Sequence, residues 1–153
     1  MKTLCGSLKR LAIFALFPVA RLYWRVAKPK TFGVKVVIRN ADKILLIRHS
    51  YQPHFWSFPG GSIKTSERPY DAAVRELREE LQIALLDLRE VGRVESTSEG
   101  KHDTITVFSA RTEDSPMVDE VELIEMRWFS HTNLPNLGPT VRKILSCYNS
   151  QEQ

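Results

Sequence analysis

Residues 60–83 read GGSIKTSERPYDAAVRELREELQI. A glycine pair leads into a stretch that places Glu67, Glu76, Glu79 and Glu80 close together. All four carboxylates fall within one predicted helix, from about Glu67 to Leu81, with Ser66 as its cap and Pro69 in its first turn. Like charges one turn apart repel by roughly a few tenths of a kcal/mol per pair. Either something offsets that repulsion or the helix is a solvated face.

Residues three and four apart share a helix face. Glu76, Glu79 and Glu80 thus form one carboxylate patch, and Val74, Leu77 and Leu81 form a separate apolar stripe able to bury against a sheet. Oxygen-rich patches suit hard divalent cations. Mg²⁺ in particular binds through a few carboxylates while keeping waters and taking substrate phosphates. Arg75 can pair with Glu79 or brace a ligating carboxylate. Gly60 and Gly61 allow a sharp turn and close approach to an ion or a phosphate. The Gly60 carbonyl is itself a hard ligand, and Pro59 stiffens the approach. Taken alone, three glutamates on a helix describe a solvated face equally well.

The spacing decides between them. Gly61, five residues, Glu67, seven residues, then Arg75-Glu76-Leu77-Arg78-Glu79-Glu80, one residue, Gln82-Ile83 resembles the Nudix box of Nudix hydrolases. Eight of its nine specified positions match, including every charged one. The departure is Gln82, where the family pattern has glycine. It falls at the helix end, where a left-handed residue is usual, at a strain of roughly 1 kcal/mol for a side chain there. Flanking residues are also similar to the family: Trp56, Phe58, Pro59 and Gly60 before the box, and Glu122, Leu123, Glu125, Arg127, Trp128 and Phe129 after it. The resemblance covers about residues 32–137.

The resemblance implies an α+β or mixed α/β fold, a Nudix-type α/β/α sandwich with a mixed β-sheet. It also implies hydrolysis of a nucleoside diphosphate linked to another group, with Mg²⁺ or Mn²⁺. Glu76, Glu80 and the Gly60 carbonyl are the implied metal ligands, with Glu79 as a further candidate. The ion would neutralise the diphosphate and activate the attacking water. Glu79 or Glu80 can serve as general base, and so can a loop residue outside the box, for which Glu120 and Glu122 are the candidates and Glu99 a weaker one. Glu67, Arg75 and Gly61 support the site. Arg48, His49, Tyr51, His54 and Trp56 precede the box and are candidates for a nucleotide pocket. Core packing is the competing reading for Trp56, Phe58 and Trp128, and a solvated loop for the two histidines. Two other function classes stay open: a catalytically weak module that senses a nucleotide, and a membrane-recruited interaction protein.

Around the box, the pattern predicts strands over Phe32–Arg39 and Lys43–Arg48, joined by a turn at Asn40-Ala41-Asp42. Further strands are expected over Glu90–Thr97, Thr104–Ala110 and Glu125–Ser130, and a last helix from Gly138-Pro139 to about Tyr148. The segment Leu4–Ala27 reads as an extra N-terminal helix, so residues 1–30 are set apart from a domain over 31–153. It can pack on the domain or on a second copy, or lie on a membrane surface as a cationic amphipathic helix. A cleaved signal peptide is the third reading, though Pro18-Val19-Ala20 is a poor cleavage site. Its ten uncharged residues are too few to cross a bilayer.

Charge is distributed unevenly. The net of +4 hides seven basic and no acidic residues in 1–30, against fifteen basic and eighteen acidic in the remainder. That mildly acidic domain argues against DNA binding. Cys5 and Cys147 suggest neither a zinc site nor a disulfide framework, so a reducing, cytoplasmic setting is expected. Association with the inner face of a membrane through residues 4–27 and a homodimer are further expectations.

Overall fold

The computed structural model describes residues 26–50, 52–83, 85–97, 101–113 and 123–151, with residue 116 and scattered positions between 16 and 24. Tyr51, Glu99, Glu120, Glu122 and most of the N-terminal segment lie outside the described residues. Among the described residues, after helical positions between 16 and 27, five strands and two helices follow in chain order: β1 (Lys30–Asn40), β2 (Lys43–His49), α1 (Pro69–Leu81), β3 (Leu86–Ser96), β4 (His102–Arg111), β5 (Leu123–Ser130) and α2 (Pro139–Asn149). The strands form one mixed sheet in the order β3-β4-β1-β2-β5. β1 runs parallel to β4 and antiparallel to β2. The β3–β4 and β2–β5 pairs are antiparallel.

The period-two alternation of β1 and β2 sends side chains to both faces, and both are covered. Val34, Val36, Ile38, Leu45 and Ile47 pack with Ala72, Ala73, Leu77 and Leu81 of α1. Val37, Ile44, Leu46 and Val107 pack with Val141, Ile144 and Tyr148 of α2. The result is the expected α/β/α sandwich.

The differences from the sequence reading have local causes. β3 begins at Leu86 rather than Glu90 because register shifts between Leu86 and Arg89, and between Glu90 and Gly92, break its alternation. Ser66 does not cap α1: it sits in a left-handed turn at φ 65°. The cap position falls to Arg68, which is extended as a residue before proline must be, and Pro69 opens the helix. Val74 is 44% exposed and does not belong to the buried stripe. Ala73, Leu77, Glu80 and Leu81 define that face instead, so a carboxylate occupies a core-facing position. Trp128 is half-buried against the α1-side core, whereas Phe58 is fully buried.

Gln82 ends α1 at φ 52° and ψ 34°, the left-handed conformation expected of the absent glycine. The helix therefore terminates where the box pattern requires, and a side chain carries the strain.

Candidate active site

Two stretches of backbone bring the site together. Residues 57–62 run beside the sheet: Ser57 and Ile47 exchange hydrogen bonds, Val36 N–H donates to the Pro59 carbonyl, and Val34 N–H donates to the Gly61 carbonyl. This places the glycine pair between β1 and α1. Gly60 has φ 118°, and a Cβ there would lie 2.4 Å from the Val34 carbonyl oxygen. Only glycine fits so close to the strand.

The three glutamates of α1 sit in three situations. Glu80 is 6% exposed, and its Oε2 accepts from the Gly60 N–H at 2.8 Å. Glu76 is turned onto the bare face of Gly61: a Cβ at Gly61 would stand 2.6–2.7 Å from its carboxylate atoms. Glu79 lies at the open edge with its side chain 57% exposed.

Arg75 answers the repulsion raised by the sequence. Its Nε and Nη2 grip both oxygens of Glu67 at 2.7 and 2.8 Å. Nη1 donates to Glu76 at 2.7 Å and reaches Glu79 at 3.4 Å, and Nη2 also donates to the Ser62 carbonyl. This fork pins the loop to the helix. It holds the Glu67 carboxyl at about 2, mainly through the arginine hydrogen bonds and then through the Lys64 N–H. The pair ties residues 62–67 to the helix at residue 75.

A lysine absent from the sequence reading completes the centre. Lys35 projects from β1, and its Nζ donates to the carbonyls of Phe58 at 2.8 Å and Gly60 at 2.6 Å. Burial lowers its pKa, and the charges of Glu80 and Glu76 oppose that shift. The peptide at Gly60 is therefore held on both sides, N–H to Glu80 and carbonyl to Lys35. The signal for this residue was a lone lysine in the otherwise apolar run Val34–Ile38.

Lys35 also borders a cavity of about 510 Å³ whose walls include His49, His54, Phe55, Trp56 and Lys101. The start of α2, Gly138 to Thr140, closes another side. His49 is 6% exposed, while His54 is exposed. Arg48 does not line the cavity; it pairs with Glu125 and lies over the Trp56 ring at 5.3 Å. Trp56 packs edge-on against Phe129 at 4.8 Å while bordering the cavity. It joins the core and presents an aromatic surface to the cavity.

Burial, aided by the Lys35 charge, pushes His49 down to about 3 from an ordinary 6.5. The imidazole is neutral at physiological pH. Because its pKa is lower in the folded chain, the unfolded chain takes up the proton first. Its contribution to stability is complete above about pH 6.5 and is lost as pH falls toward 3. Urea melts of wild type and His49→Gln across pH 7 to 4 should differ by a slope of about 1.4 kcal/mol per pH unit. Parallel pH profiles would contradict this assignment.

No group of three or more acidic, histidine or cysteine side chains forms a ready-made cage among the described residues. Glu76 and Glu80, one turn apart beside the Gly60 carbonyl, instead suit a hard cation that completes its shell with water and substrate phosphate. Lys35 takes one lone pair of that carbonyl, and a second remains.

In a solved structure, a MutT NUDIX hydrolase from Burkholderia pseudomallei is 28% identical, with a TM-score of 0.70 over 76% of this chain and 96% of that one. The chain is 36% identical over 72 residues to diphosphoinositol polyphosphate phosphohydrolase 3-beta of Bos taurus, 47% of this chain and 44% of that protein. It is 30% identical over 100 residues to the m7GpppN-mRNA hydrolase of Saccharomyces cerevisiae, 63% of this chain and 10% of that protein. The chain thus spans less than half the length of these two curated relatives. The NUDIX domain model matches residues 29–146, and the chain belongs to that family.

Proposed function

We propose that this chain hydrolyses a phosphoanhydride bond in a nucleoside diphosphate linked to another group, with Mg²⁺ or Mn²⁺ as cofactor. The observation that carries the reading is the buried Glu80 carboxylate on the Gly60 N–H, with Glu76 seated on the bare face of Gly61. A divalent ion held by Glu76, Glu80 and the Gly60 carbonyl would neutralise phosphate charge and make water a stronger nucleophile. The chain's own residues do the rest. Arg75 holds Glu67 and Glu76 in place, and Glu80 is fixed by one oxygen on the backbone. Glu79, exposed at the helix edge, is the described carboxylate free to move toward an attacking water; Glu120 and Glu122 remain candidates for the same task. His49, His54 and Trp56 border the space for the substrate. The preserved turn at Gln82 favours an enzyme over a degraded nucleotide sensor, since it leaves the carboxylates in register.

The test is a panel of nucleoside diphosphate derivatives, including ADP-ribose, UDP-glucose and a dinucleoside polyphosphate, with Mg²⁺ or with EDTA. Metal-dependent release of a nucleoside monophosphate is expected. No turnover of any member in Mg²⁺ or Mn²⁺ would sink the reading.

A second property rests on a separate observation. At the described positions between 16 and 27 the chain is helical. Leu16, Val19, Leu22, Tyr23 and Val26 are each more than 60% exposed. No described helix is long and apolar enough to cross a membrane. An apolar stripe in a segment with seven basic and no acidic residues matches an anionic bilayer surface, and we propose peripheral docking there. Full-length protein should co-sediment with phosphatidylglycerol vesicles, and a Val19→Asp, Val26→Asp variant should not. A homodimer that ignores vesicles would replace the bilayer with a second copy as the occupant.

A further inference from the structure

We propose that Lys35 is a phosphate-binding residue, and that it fixes the diphosphate of a substrate whose ring system lies in the adjoining cavity. This rests on the hydrolase reading for its substrate class, but it concerns a residue outside the box. Lys35 stands where the cavity meets the carboxylate helix. Its ammonium has three donors. Two are given to the carbonyls of Phe58 and Gly60, and among the described residues the third has no partner. A half-buried ammonium with one donor uncommitted among the described residues can give a charge-assisted hydrogen bond to an anion.

The surroundings favour a phosphate. Lys101 and the α2 N-terminus, where Gly138 supplies no side-chain cap, border the same space. Helix N-termini favour anions. Among the described residues the one acid on the cavity wall, Asp103, accepts from the Thr31 hydroxyl. Phe55 and Trp56 supply aromatic surface for a ring. Lys35 Nζ is bonded to the carbonyl of Gly60, the residue whose N–H donates to Glu80 Oε2. A diphosphate reaching from the cavity toward that carboxylate comes within reach of the lysine. Two carbonyls and a strand hold the ammonium in place, so little entropy is lost when an anion binds.

Lys35 also staples the loop, and a purely structural role would weaken all ligands alike. Calorimetry on the full-length, metal-free protein in EDTA separates the two. The probes are ADP, inorganic pyrophosphate and adenosine, and the proteins are wild type, Lys35→Gln and Lys35→Arg. Lys35→Gln should weaken ADP and pyrophosphate about tenfold and leave adenosine unchanged, while Lys35→Arg should retain most of the affinity. Wild type should bind ADP more tightly than pyrophosphate, as a nucleoside seated in the cavity requires. Equal losses for ADP and adenosine, or none, would overturn the proposal. ADP no tighter than pyrophosphate would overturn the nucleoside assignment. If Lys35→Gln does not fold, a wild-type crystal grown with ADP gives the answer: a phosphate oxygen within hydrogen-bond reach of Lys35 Nζ is expected, and phosphates bound elsewhere refute it. Since no metal is present, a failure of catalysis in the substrate panel leaves this measurement readable on its own.

Discussion

Glu80→Gln is expected to lower metal-dependent hydrolysis at least about a thousandfold, equivalent to about 4 kcal/mol of barrier, while the fold survives. Glutamine has nearly the same shape, and its amide oxygen can still accept from the Gly60 N–H. The loop geometry is therefore retained. What is lost is a negative charge beside Glu76, and with it the attraction for a hard cation. A urea midpoint within about 1 kcal/mol of wild type, with no detectable turnover, would match this expectation. The same variant should weaken Mn²⁺ binding measured by electron paramagnetic resonance. Undiminished turnover in Glu80→Gln would remove this residue from the metal site. The test needs whichever substrate the nucleotide panel identifies.

Gly60→Ala is expected to have the largest effect on stability. The added Cβ would meet the Val34 carbonyl oxygen at 2.4 Å and its carbon at 3.1 Å, both backbone atoms of a central strand. At φ 118° an alanine is also conformationally strained. Such strain costs about 1–3 kcal/mol, and overpacking against a well-packed core costs a similar amount. A combined loss of about 3–5 kcal/mol would bring a domain of ordinary stability close to its unfolding threshold. A clear fall in the urea midpoint should be seen even without metal or substrate. A midpoint equal to wild type would mean the loop can move away from β1, contrary to its hydrogen bonds with Val34 and Val36.

Much of the architecture was visible in the sequence because strong local patterns coincide with it. Apolar runs flank a turn at Asn40–Asp42, and β1 and β2 form there. The box spacing sets α1 and its acids, and the left-handed end at Gln82 followed from position. What was hidden has a common cause. Lys35, Lys101 and Thr140 border the cavity that His49, His54 and Trp56 also line, but they are scattered along the chain, and only the order of strands in the sheet brings them to those residues. Val74 was misplaced because α1 approaches β1 through the small residues Ala72 and Ala73. The buried arc then centres on Ala73, Leu77 and Glu80. An acid directed inward is the residue that hydrophobic periodicity assigns to solvent. Arg48 is a cation just before the box, and only the pairing of β2 with β5 reveals its partner Glu125.

The Glu76 carboxylate resting on Gly61 turns the interval between them into a mechanical length. The peptide at residue 61 and the first turns of the helix engage like a tongue in a slot, and the arginine fork fastens the intervening chain to both ends. Sliding that segment by a single residue would bring Ser62 against the carboxylate and expel it. Insertions or deletions between 62 and 75 have no slack to draw on, so the numbers five and seven in the spacing are dimensions of a joint.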